Sequence, residues 1–378
     1  MRSHAEESSM NVSGSGARPD PAAGVRNLLL SCAAVRSGDS VLLIVEPKGN
    51  DHYDSALAPF IASHARALGA RVEIMSVAPG SGPEDVPVAM MEAIEAAAHT
   101  IFLNRIGDQL RFAPLPGTGS KIMSYVLDMD FLGSDFAVTS YEVWGSIQTR
   151  LVAQLDAARS YSIRCPRGTD LSMSLDGSRA AQECSPGFTV KNFPVMIVPP
   201  IPADHLNGKL VVSQALTSTY VHAYDDSILR LNSPLTLTIE NGRIIRIEGD
   251  RDLVARAEAQ FARVAGLFGG PTWAVNSWHA GINPFTFFPR PALSDIDRWS
   301  CVAFGSPRYA HFHMCGSAPG DICGQVFDPT ITFDDTVLWH NGHAAFLTAD
   351  EKRRLIRHNG LSPEVFQRHR EIGVVTAD

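Results

Sequence analysis

Residues 37–47, SGDSVLLIVEP, decide how the first part of this chain is read. A Ser-Gly-Asp turn leads into an unbroken apolar run at 41–45, with no polar alternation. A strand with one face in water alternates. A strand covered on both faces, as in a parallel sheet between helices, reads as a continuous apolar run. The neighbouring segments agree. GVRNLLLSCAAVR (24–36) has helical apolar spacing, and YDSALAPFIASHARALGA (53–70) is an amphipathic helix that closes on Gly69. RVEIMSV (71–77) is a second strand, PVAMMEAIEAAAH (87–99) a helix and TIFLNRI (100–106) another strand. Strands alternating with helices of this length predict a doubly wound α/β layer. KIMSYVLDMDFLGSD (121–135) and SYEVWGSIQTRLVAQLDAARS (140–160) read as further helix.

Near residue 160 the pattern changes. SYSIRCP, DLSMSLDG, KLVVSQAL, LTLTIENGRIIRIEGD and ITFDDTVLWHNGH are short alternating runs broken by Gly, Asn and Asp. In LTLTIENGRIIRIEGD the Asn-Gly pair suits a two-residue hairpin turn that needs positive φ. One long helix interrupts the strands, DRDLVARAEAQFARVAGLFGG (250–270), with Asp at its start and Gly past its end. The expected architecture is therefore an N-terminal doubly wound α/β domain over 24–160, followed by a mixed, largely antiparallel α+β domain over 161–378. Residues 1–23 are small, polar and Gly/Ser/Pro-rich and read as a disordered lead-in.

The bulk numbers narrow the function. The chain has 378 residues, 45% hydrophobic and 19% charged, as expected of two globular domains. Its net charge of −8 and lack of a basic run argue against nucleic acid as a partner. No apolar stretch is long enough to span a membrane, and the N-terminus lacks the apolar core of a signal peptide. A cytoplasmic location is expected, with Cys32, Cys165, Cys184, Cys301, Cys315 and Cys323 as reduced thiols. There is no GxSxG nucleophile elbow, and GTGSK (117–121) lacks the spacing of a phosphate-binding loop.

Two segments carry chemistry: NSWHAGINPFTFFP (276–289) and RYAHFHMCG (308–316). In a strand, residues i and i+2 share a face, so His311 and His313 project together with Phe312 opposite. Such a pair can reach one ion, and His279, ahead of Gly281, is the candidate third ligand. Three neutral nitrogens on one side of a metal leave positions open for water, O2 or a chelating substrate, as in facial non-haem iron sites. The competing reading makes His311 and His313 ordinary strand residues with backbone or solvent partners. Cys315 shares their strand parity and is either a ligand, a nucleophile or a buried inert thiol. His340 and His343, in the polar turn HNGH, face water as turn-tip residues usually do.

The order of these pieces resembles the aminopeptidase T-like metalloenzyme superfamily over most of residues 24–345. HAGINP (279–284) looks like its first histidine-ligand segment, and HFHMCG (311–316) sits where a paired ligand precedes the closing strand and turn. The resemblance implies His279, His311 and His313 as metal ligands and a homo-oligomer. The dinuclear peptidases of that superfamily bridge their metals with glutamates. Here the comparable stretches, NFPVMIVPP (192–200) and TWAVNSW (272–278), hold no carboxylate. Two close cations need bridging anions, so a single ion is implied. That places the chain nearest the 2,5-dihydroxypyridine 5,6-dioxygenase branch, with Fe(II) as cofactor and Zn(II) as the alternative.

In that branch the third ligand is Asp. A neutral His313 leaves the site one charge more positive and should favour an anionic chelating substrate. Asn104 and Arg105 stand near the positions of that dioxygenase's acid/base histidines, which implies a different ring. The expected activity is O2-dependent cleavage of a hydroxylated or amino-substituted aromatic or N-heteroaromatic ring. Arg105 or Arg308 would offset substrate charge, and Trp278, Phe285 and Phe287, with Phe288, would form an aromatic wall. The alternatives are a zinc hydrolase of small amides or peptides, with Asp321 or Asp328 as base, and a metal-free binding protein on the same scaffold.

Overall fold

A computed structural model describes residues 20–80, 86–175, 189–220, 222–316, 318, 320–357 and 361–374. Among these, two sheets organise the chain. The first is wholly parallel and has five strands: β1 (Ser40–Val45), β2 (Arg71–Ser76), β3 (His99–Leu103), β4 (Ser120–Ser124) and β7 (Lys191–Phe193), in the order β2-β1-β3-β4-β7. The apolar run at 41–45 lies at its centre, flanked by β2 and β3. The helix Leu57–Ala67 buries Leu57, Ala58, Ile61, Ala62 and Ala65, a single stripe at helical spacing.

Two expectations for this region change. Lys121–Ser124, read as helix, belongs to β4, and every one of these residues is buried. A short run covered on both sides lacks the period that separates helix from strand, and here sheet pairing with β3 decides. The segment expected as a disordered lead-in is also corrected at its end. Its residues 1–19 lie outside the described residues. Pro21–Arg26 form a helix that Asp20 caps through the Ala23 N–H, and Pro21 occupies its first position.

The second sheet is antiparallel and large. Its strands are β5 (Ser160–Arg164), β6 (Asp170–Ser174), β8 (Ile201–Pro202), β9 (Asn207–Ser218), β10 (Leu229–Glu240), β11 (Arg243–Glu248), β12 (Val275–Ala280), β13 (Tyr309–Met314), β14 (Ile322–Phe327), β15 (Thr330–Phe333) and β16 (Thr336–Trp339). The path runs β16-β15-β5-β6-β9-β14-β13-β12-β8, with the β10–β11 hairpin attached to β9. Asn241 and Gly242 turn that hairpin with φ of 49° and 70°, the positive values an Asn-Gly turn supplies. The helix Arg251–Phe268 is capped by Asp250, whose carboxylate accepts from the Asp252 and Leu253 N–H groups. Its stripe of Leu253, Ala257, Phe261 and Val264 is buried.

Side-chain contacts tie the two sheets together. Arg298, in the helix Ile296–Val302, pairs with Asp128 of the first layer at 2.7 Å, and Arg105, after β3, pairs with Asp297 at 3.1 Å. No described helix is long and apolar enough to cross a membrane.

Candidate metal centre

Strand register builds the site. Across β12, β13, β14 and β9, Trp278 pairs with Phe312, Phe312 with Gly324 and Gly324 with Leu216, all on one face. The alternate residues form the other face: His279 opposite His311, His311 opposite Gln325, Ser277 opposite His313, and His313 opposite Cys323, which in turn faces Thr217. Pleating therefore gathers the three imidazoles on one side and the aromatic rings on the other.

The imidazole rings lie 4.9–5.0 Å apart, centroid to centroid. One ring nitrogen of each falls within 4.8 Å of the others. His279 and His313 are buried, and His311 is the more accessible of the three. The His279 Nδ1–H donates to the Val198 carbonyl at 2.9 Å, which leaves Nε2 as the lone-pair nitrogen. The His313 Nδ1–H donates to Asp321 Oδ2 at 2.6 Å, with Thr219 Oγ1 at 3.1 Å. Two buried ring nitrogens, His311 Nδ1 and His313 Nε2, have no hydrogen-bond partner.

Electrostatics separates the rings. Burial pushes His279 and His311 well below the usual histidine range, and His313 beside them adds to the shift. Burial lowers His313 too, but Cys323 and Asp321 outweigh it and hold its pKa up at about 10. A proton on His313 Nε2 would have no acceptor there, and a lone pair would have no donor; either is costly in a buried site. A cation at the point where the three rings converge meets this need, so the residues present fit a single divalent ion held by His279, His311 and His313. Three imidazoles suit iron, zinc, copper or nickel.

The site forms the floor of a cleft with an empty volume of about 720 Å³, part of it open to solvent. The parallel layer contributes Arg105, Asp108 and Arg111. Strand β9 and the residues after it contribute Thr217–Tyr220, and Cys301, Phe304 and Tyr309 close the far wall. Asp108 is the only carboxylate among the lining residues, and it accepts from Arg111 at 2.9 Å and from Tyr125 at 2.7 Å. Burial holds the Tyr309 hydroxyl well above its ordinary pKa, so it stays a proton donor at neutral pH.

Among the other residues singled out by sequence, the structure separates those in the cleft from those in the core. Arg105 lines the cleft. It is clamped by Glu46 through two bonds, at 2.9 and 3.2 Å, and by Asp297. Arg308 does not line the cleft: it is buried in a two-bond pair with Asp328, at 2.6 and 2.9 Å, and also donates to the Arg370 carbonyl. Trp278, Phe285 and Phe287 do not form its wall. Trp278 follows strand alternation onto the opposite face, where it meets Phe312, Tyr161 and Phe333. Phe285 packs on Trp144 and Phe366, and Phe287 stacks on Phe131 at 4.7 Å. Phe288 is core as well.

Cys315 also leaves the site. Its φ of 54° breaks the pleat after β13, and its thiol donates to the Phe261 carbonyl. Gly281 serves close backbone packing: a Cβ there would lie 2.3 Å from the backbone of Gly305 and Ser306. Cys323 and Asp321 take the places near His313 that sequence parity gave to Cys315. Only the register of β14 against β13 brings Cys323 there, and no spacing motif marks it. His343 packs against the His369 ring, centroids 4.0 Å apart and planes tilted by 30°, apart from the trio. Cys184 lies outside the described residues; Cys32, Cys165, Cys301, Cys315 and Cys323 are free thiols.

No protein-family model matches the chain, and no curated protein matches it in sequence. Solved structures do match in fold. A 2,5-dihydroxypyridine dioxygenase from Pseudomonas putida superposes with a TM-score of 0.57 at 16% identity, covering 88% of this chain and 99% of that one. Wild-type AmpT from Thermus thermophilus superposes with a TM-score of 0.50 at 10% identity, covering 86% of this chain and 98% of that one. The architecture expected from the sequence pattern is thus the architecture observed, a parallel layer joined to a large antiparallel sheet.

Proposed function

We propose that this chain is a metal-dependent enzyme with one divalent ion on His279, His311 and His313, and that it is an Fe(II) dioxygenase of small aromatic or N-heteroaromatic rings bearing hydroxyl or amino groups. The observation that carries the reading is the convergence of three imidazoles, two of them with an unpartnered buried ring nitrogen, on the floor of a cleft. The fold shared with a 2,5-dihydroxypyridine dioxygenase supports it. His279, His311 and His313 would hold an iron(II) ion, which would supply redox chemistry with O2.

The chain's own residues prepare the cleft. The Val198 carbonyl and the Asp321 carboxylate fix two of the three rings in orientation and tautomer. Arg105 and Arg111 bring guanidinium groups to the wall, where Glu46 and Asp297 already pair with the first and Asp108 with the second, so a substrate group meets them as hydrogen-bond donors rather than as unpaired charge. The Tyr309 hydroxyl and the Thr217–Tyr220 stretch offer hydrogen bonds to its oxygen or nitrogen groups, and Phe304 and Ile197 give the ring an apolar surface. The hydrolase alternative needs a carboxylate placed to take a proton from a bound water. Asp321 lies on the Nδ1 side of His313, behind the ring rather than on the Nε2 side, and Asp328 is locked to Arg308.

The test is metal analysis of protein purified anaerobically without chelators or a histidine tag, followed by an oxygen-electrode screen of aminophenols, catechols and hydroxypyridines. We expect about one iron per chain and O2 uptake matched to loss of ring absorbance. Turnover of an amide under strict anaerobiosis, with zinc bound, would replace this reading with the hydrolase.

A further inference from the structure

With His279, His311 and His313 as its ligands, the centre would have no anionic ligand of its own. The surroundings of the three imidazoles are unequal in a way that bears on this. His311 Nδ1 has no partner, His279 Nδ1 donates to a neutral carbonyl, and His313 Nδ1 donates to a carboxylate at 2.6 Å. Asp321 is buried, 2% exposed, and its other oxygen, Oδ1, has no partner. It is held from behind: the Thr219 N–H donates to its main-chain carbonyl at 3.2 Å, and the Thr219 hydroxyl reaches the same His313 nitrogen. Next to it, Ile322 enters β14 in register with Met314, so the chain cannot slide without breaking the ladder.

We propose that Asp321 is the positioning residue of the metal centre: through the His313 Nδ1–H it fixes which nitrogen faces the ion and returns, one ring's width away, the negative charge that a direct carboxylate ligand would bring. This rests on the reading of His279, His311 and His313 as ligands. The physical basis is general. A carboxylate that accepts from one ring nitrogen of an imidazole orients the ring and makes the other nitrogen a better donor to a metal. It also changes the expectation taken from sequence, since a centre with three neutral ligands and a buried carboxylate behind one of them is no more positive than a centre with two histidines and an aspartate.

Asp321→Asn keeps the shape and removes the charge. In anaerobic chelator-competition titrations with Fe(II), and in parallel with Zn(II), it should bind metal about 10–100-fold more weakly than wild type. Wild-type affinity in Asp321→Asn would overturn the proposal. A second readout needs no variant: in metal-free protein labelled with 15N-histidine, the His313 Nδ1–H should appear as a strongly downfield, slowly exchanging proton resonance. Its absence in the folded wild type would equally overturn the proposal. His311→Ala separates the two levels of inference. If it abolishes binding while Asp321→Asn does not, only the role of Asp321 fails. If it leaves binding intact, the ligand set itself fails.

Discussion

The two faces of the sheet at β12–β14 are built from the same strands and behave oppositely. On one face Trp278, Phe312, Met314 and Leu216 interlock with Tyr161 and Phe333, every one of them buried. On the other, one residue further along each strand, stand His279, His311, His313, Cys323, Gln325 and Thr217. The aromatic face stabilises by removing apolar area from water. The polar face spends part of that gain, because it buries imidazoles, an amide and a carboxylate, with several atoms lacking partners. Proteins retain such cost where function needs it, and alternation lets one strand serve both purposes without compromise between them.

This comparison is open to direct attack. The largest effect is expected from His311→Ala, which should abolish stoichiometric metal retention while far-UV circular dichroism and cooperative unfolding of the metal-free protein persist. Full metal occupancy in that variant would remove His311 from the centre. On the opposite face, Trp278→Ala should cost about 3–5 kcal/mol of stability, the usual range for emptying a large aromatic site in a packed core. Metal affinity of the folded fraction should hold. Denaturant unfolding and metal titration on the same samples test both halves. A Trp278→Ala protein that loses metal yet keeps its stability would mean that the faces are not separable.

Much of this was readable in sequence, and the rest failed for identifiable reasons. The continuous run at 41–45 announced a strand covered on both sides, and Asn241-Gly242 announced its hairpin, because those signals are local. The pair His311 and His313 was legible because pleating is a property of one strand. Asp321 is nameable from sequence as a carboxylate near the site, but its bond to His313 Nδ1 and the approach of Cys323 are not, since both depend on the pairing of β13 with β14 and on the turn between them. Trp278 was misplaced in the cleft by closeness in sequence to His279, although adjacent strand residues point apart. Arg105 and Arg308 show the same limit. Both are arginines near candidate site segments, yet one faces the cleft and the other is consumed by Asp328. Nothing in their local sequence tells which partner each finds.

The smallest expected effect tests whether an orphaned buried nitrogen by itself signals a metal site. His52 is the control. Its ring is buried beside Tyr53, and its Nε2 has no partner, just like His313 Nε2. It belongs neither to the trio of His279, His311 and His313 nor to the neighbouring group of His313, Asp321 and Cys323. Burial, and then the positive charge of Arg105, push its pKa down to about 3, from an ordinary value near 6.5. The native state therefore binds fewer protons than the unfolded chain between those limits. Its contribution to stability is complete above about pH 6.5 and is lost as pH falls from there towards 3, at up to about 1.4 kcal/mol per pH unit. His52→Gln should flatten this part of the acid limb of the Tm–pH profile. At neutral pH the rise in Tm on adding Zn(II) should match that of wild type, because convergence of three rings, rather than one unsatisfied nitrogen, makes the metal centre. A lost zinc response in His52→Gln would show that the centre extends into the parallel layer, and an unchanged acid limb would show that His52 is not held neutral by its surroundings.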